Sequence, residues 1–164
     1  MAGETNAVLA WIHILAAIGW MGTAMFLVMV LTPSMVGLSP GSRKELVLKL
    51  FPRFIRYVTV FATLTLVAGV LLALGMIGQL DPSATRGLRV SIGAFIALVA
   101  YVLALGVGLR SARKLMKILG TPQDPQQSPP PEIAVLQRRM RFTATAVVTL
   151  LALTLVFMVT AARL

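Results

Sequence analysis

The side chain with the widest chemical reach in this sequence is His13, the single histidine of the 164-residue chain. An imidazole ligates transition metals through either of its nitrogens. His13 stands about two turns inside a charge-free apolar run that begins near Asn6. An ionisable side chain at such depth in a membrane helix is costly and as a rule faces a bundle interior, which makes it a candidate site. Helical geometry sets Leu9, Ala10, Ala17, Trp20 and Ala24 on roughly its face. Ala10, Ala16 and Ala17 leave room beside the ring, and Trp20 is placed to wall a flat ligand. The competing reading is an imidazole that hydrogen-bonds a carbonyl or a Ser/Thr hydroxyl of a neighbouring helix.

Soft sulfur ligands are the natural complement. If the second and fourth apolar runs return to the side from which the first departs, Met158 comes to about the level of His13, and Met76 lies about one turn further out. A His/Met pair is an axial arrangement for haem iron, and imidazole with thioether also suits Cu(I). Arg86, Arg89 and Arg163 fall just beyond, placed to pair with haem propionates or with phospholipid headgroups. Met21, Met25 and Met29 repeat every fourth residue, a spacing that fits either a Cu(I) path or adaptable packing. Other chemistries are excluded by composition. The chain has no cysteine and only five acidic residues, which removes thiolate sites and two-carboxylate hydrolysis.

The elements that must position these groups follow from hydropathy. Hydrophobic residues make up 58% of the chain and charged residues 12%, too apolar for a water-soluble fold of this size. Four charge-free stretches, about 6–32, 57–80, 90–109 and 142–162, each reach the roughly 20 residues that a span requires. Solid apolar runs without alternation predict helices rather than a barrel. The expected fold is therefore all-α: one transmembrane domain over 1–164, an integral membrane four-helix bundle. The first run lacks a basic leader and is longer than a signal core, so it is expected to be retained.

Twelve of the fifteen basic residues lie between runs one and two or between runs three and four. The excess of positive charge predicts that these two connections are cytoplasmic and that both termini lie outside, in a prokaryotic plasma membrane. A short external turn is expected around Asp81, Pro82 and Ser83. The net charge of +10 is then explained by orientation and anionic headgroups, with the lipid bilayer rather than nucleic acid as partner. The proline- and glutamine-rich stretch 121–131 reads as an exposed cytoplasmic linker. Small residues recur every fourth position at Thr65, Gly69 and Ala73 and again at Ala100, Ala104 and Gly108, a pattern that lets membrane helices approach closely.

The run Trp11-Ile12-His13-Ile14-Leu15-Ala16-Ala17-Ile18-Gly19-Trp20-Met21-Gly22, continuing to Thr32-Pro33, resembles the opening helix of the copper-resistance D (CopD-like) membrane family. Its relatives, the HemJ-type protoporphyrinogen oxidases and the PuuD-type membrane domains, share a similar histidine, apolar stretch and Trp-x-Gly signature. Arg53-Phe54-x-Arg56, followed by an apolar span containing Gly69, looks like the second helix of that group. The resemblance implies a four-helix bundle with the first-helix histidine at its functional centre, binding haem in the HemJ-like branch and linked to copper passage in the CopD branch. Arg89 stands where many relatives carry a lysine, and a guanidinium does not readily release a proton. With one histidine, a two-histidine haem site within one protomer is impossible. Three readings follow: a b-type haem protein with a redox or electron-transfer role, a copper-handling protein, and an accessory subunit of a larger membrane complex. A homo-oligomer is compatible with each.

Overall fold

Apolar runs of this length leave the backbone in lipid one way to satisfy its hydrogen bonds within a segment, the helix. The computed structural model describes residues 2–75, 85–122 and 130–162 and is helical through nearly all of them. Four rods form. Rod α1 runs over Ala2–Met25, passes through a π-helical segment Phe26–Leu31 and ends with Thr32–Ser34; α2 is Pro40–Gly75. Rod α3 runs over Thr85–Val102, through a second π segment Leu103–Gly108, and on through Leu109–Gly120; α4 is Pro131–Ala162. Each contains a stretch long and apolar enough to cross a bilayer, so this is a multi-pass membrane protein.

Facing residues fix the arrangement. Along α1 and α2, Asn6 faces Gly75, His13 faces Gly69 and Gly19 faces Phe61. Along α3 and α4, Arg89 bonds Thr160, Gly93 faces Met158 and Gly108 faces Thr143. Numbers rise on one rod as they fall on the other, so both pairs are antiparallel. Thr63 and Tyr101 share a hydroxyl hydrogen bond of 3.2 Å that joins α2 to α3. The start of α1 and the end of α4 therefore lie at one end of the bundle, and the densely basic segments at the other.

Two cores result. The first, centred on Trp20, Ala62, Ala100 and Val147, draws on all four rods in the apolar middle. The second, at the basic end, gathers Leu31, Val47, Phe51, Ile55, Leu109 and Ala112. The perimeter is apolar, with Trp11, Ile18, Val70, Phe95 and Val156 each more than half exposed, as a lipid-facing surface requires.

The second core revises the expected boundaries. The stretches before residue 57, after 109 and before 142 are continuous helix. At 36 residues, α2 is about 54 Å long, well beyond a hydrocarbon core of about 30 Å. Pro40 opens α2 with its missing N–H where none is needed, and Ser39 Oγ accepts the Ser42 N–H at 3.2 Å as the cap. Pro131 opens α4 in the same position, so it belongs to a helix rather than to the linker. Glu132 in that first turn pairs with Lys114 of α3 at 2.5 Å. The middle of the expected linker, 123–129, the turn at Asp81–Ser83, and Met76 and Arg163 lie outside the described residues.

Candidate functional site

The α1–α2 seam holds its polar groups in notches. Gly69 has no Cβ, and the position one would take is 2.9 Å from His13 Cε1 and 3.1 Å from Nδ1, so the ring occupies space that any other residue would fill. Seated there, Nδ1 lies 2.8 Å from the Thr65 carbonyl oxygen. That oxygen is also positioned to accept the helical bond of Gly69, and its second lone pair takes the imidazole. Thr65 Oγ1 does not compete, because it donates back to Phe61 O at 2.7 Å.

A carbonyl only accepts, so Nδ1 donates in this contact, and Nε2 is the ring nitrogen that it leaves outside the bond. An Nδ1–H bond to a carbonyl is the arrangement that orients histidines as Nε2 ligands. Nε2 is the ring nitrogen further from α2, at 3.9 Å from the same Gly69 position. No protein hydrogen bond to Nε2 occurs among the described residues. His13 is half-buried, and Trp11, Ile12 and Ile14 beside it are exposed, so the ring sits at the rim of the seam rather than at the bundle centre.

The other candidates are distributed differently. Met158 packs its Cε and Sδ on Gly93, with the Cβ position there 3.0 Å and 3.6 Å away. Following the registers through Thr63–Tyr101, Met158 falls within about one turn of the level of His13. The two are nonetheless seated in different helix pairs. Arg89 is half-buried and donates from Nη1 to Thr160 O at 3.1 Å, which ties α3 to α4, while Arg86 is exposed at the start of α3. Trp20 is 1% exposed, stands edge-on to Tyr101 at 6.3 Å, and lies about 10 Å along the axis from His13, so it fills the core. Its indole N–H has no partner among the described residues.

The methionine ladder does not continue. Met21 is half-buried against the first core, Met25 is half-buried, and Met29 is 61% exposed. A π segment winds an extra residue into its turn, so a four-residue repeat that crosses Phe26–Leu31 leaves the face on which it began.

For haem or a single metal ion, the donor set supplies one well-oriented imidazole nitrogen. It would hold such a group through that one ligand. Two cavities in the bundle, of about 70 Å³ and about 670 Å³, are lined by other residues and lie toward the basic end. Neither cavity includes His13 in its lining. The seating of His13 on Gly69 was the relation that sequence reasoning missed. The similar separations of Asn6 from His13 and of Gly75 from Gly69, which pair a polar residue with a glycine twice along the seam, were its available signal.

No family model, curated protein or solved structure matches this chain.

Proposed function

We propose that this membrane protein binds a b-type haem through His13 Nε2 and serves a redox or electron-transfer role. The observation that carries the reading is the Nδ1–H bond to Thr65 O, which leaves an oriented second ring nitrogen at the edge of a helix seam. The resemblance of the first helix to HemJ-like proteins supports haem, and its resemblance to CopD-like proteins supports the copper alternative. The chain itself would supply the His13 imidazole as a ligand, beside the exposed apolar side chains of Trp11 and Ile14. The bound group would supply one-electron chemistry. A second ligand would come from Met76 or from another chain covering the Trp11 flank in a homo-oligomer or a larger complex, since Met158 is seated on Gly93 in the other helix pair. Basic excess at the far end favours an orientation with both termini outside the prokaryotic plasma membrane.

The decisive measurement is a visible spectrum of the purified protein. Haem ligation predicts a Soret band that disappears in His13→Ala. A colourless preparation that retains stoichiometric copper would transfer His13 to the copper reading. A colourless, metal-free protein that co-purifies with larger subunits would leave the accessory role.

A further inference from the structure

The larger cavity is a groove at the basic end, between the last turns of α1 and the first half of α4, with a volume of about 670 Å³. Its walls change character. Leu27, Val28, Phe51 and Ala144 line the apolar part, while Arg43, Arg138 and Arg141 line the polar part. Arg43 is committed to the protein, donating to the carbonyls of Met35 and Val36 at 3.1 Å and 3.2 Å. Arg138 and Arg141 are exposed, and no carboxylate pairs with either among the described residues. The nearby acids are engaged elsewhere, Glu45 with Lys49 at 2.6 Å and Glu132 with Lys114 at 2.5 Å.

Three residues apart on one helix, Arg138 and Arg141 present two guanidiniums to the same neighbourhood, the fork geometry that suits phosphate oxygens. The apolar part leads inward. The smaller cavity shares Leu27, Phe51, Met140 and Ala144 with the groove and continues to Trp20 and Val147. A cationic mouth on a groove whose apolar wall, Leu27, Phe51, Met140 and Ala144, also borders a second apolar cavity is complementary to an amphiphile with an anionic head and a hydrocarbon tail.

We propose that this groove is a specific site for one anionic phospholipid of the bilayer, with its phosphate held by Arg138 and Arg141 and one acyl chain directed toward Trp20. The assignment is independent of any ligand at His13.

The chain has two tryptophans, and Trp11 is exposed to lipid whereas Trp20 is 1% exposed. Trp11→Phe therefore leaves one indole that surrounding lipid does not reach. The full-length variant is reconstituted in phosphatidylcholine vesicles containing increasing fractions of either phosphatidylglycerol or phosphatidylcholine with brominated acyl chains, and Trp20 emission is recorded. The site predicts quenching that saturates at a low fraction of brominated phosphatidylglycerol, is reversed by unbrominated phosphatidylglycerol, and is weak with brominated phosphatidylcholine. Adding Arg138→Gln and Arg141→Gln should raise the half-quenching fraction about tenfold or more, the effect of losing two basic contacts to one headgroup. If that double change misfolds, Ala144→Phe offers a second route, since it narrows the groove without touching charge and should abolish saturable quenching. Equal quenching by the two lipids, or a curve unmoved in folded Arg138→Gln/Arg141→Gln or Ala144→Phe protein, overturns the proposal.

Discussion

The two antiparallel pairs solve the same packing problem with different residues. In α1–α2, His13 sits on Gly69; in α3–α4, Met158 sits on Gly93. Each pair also ties a polar side chain to a main-chain carbonyl close by, His13 to Thr65 O and Arg89 to Thr160 O. The second pair divides these tasks between two residues, the thioether filling the notch and the guanidinium making the bond. The first pair gives both to one imidazole. Because that ring has two nitrogens and the packing uses one, a donor atom is left over. A polar residue inside a bundle is thus not itself a site; what distinguishes His13 is a second ring nitrogen held in place by the bond that the first one makes.

Substitutions in the two pairs test this contrast. The largest effect is expected for His13→Ala, which should remove all Soret absorbance. The loss in helix association should be only about 1–2 kcal/mol, an interhelical hydrogen bond and a small void, read by denaturant titration in detergent. Gly69→Ala comes next. Its Cβ would press on the ring at 2.9 Å, so the imidazole must leave Thr65, and haem retention should fall by at least tenfold while the protein still folds. An unchanged spectrum in that variant would show that the seating does not position a ligand.

Gly93→Ala is the control in the other pair. Its Cβ meets the flexible end of Met158 at 3.0 Å, which can swing aside, and Phe157 Cβ at 3.3 Å, where α4 must give by a few tenths of an ångström, so stability should fall by about 1–2 kcal/mol while the spectrum should not change. A spectral shift there would instead recruit Met158 to the site. Smallest of all, Tyr101→Phe removes the 3.2 Å bond to Thr63 and should cost about 0.6 kcal/mol, the average for such bonds between membrane helices.

The four apolar runs and the helical class were readable because lipid tolerates little else. That His13 turns to a neighbouring helix was readable for a similar reason, since a polar ring avoids acyl chains, although it stops at the rim of the seam. The bond to a neighbouring-helix carbonyl, the competing reading of this residue, is the one seen, and it occupies one ring nitrogen and not the other. The helix ends were less legible. Hydropathy marks where charge begins, but α2 starts at Pro40 because Val47, Phe51 and Ile55 keep a helical repeat through the basic stretch and pack on Leu109 and Ala112. The fate of Met29 was hidden altogether, because no residue spacing announces a π turn. The groove was hidden as well, since it joins residues of α1 with residues more than a hundred positions later.

The two π segments stand where the cores meet, one between Ala24 and Leu31 and the other running from just before Ala104 to just before Leu109. Each works as a phase adjuster, rotating the downstream half of a rod by about 100° relative to an unbroken helix. A membrane-facing half and a headgroup-facing half can therefore be tuned separately, and deleting one residue from Phe26–Leu31 should disturb the lipid groove while leaving the imidazole in its notch.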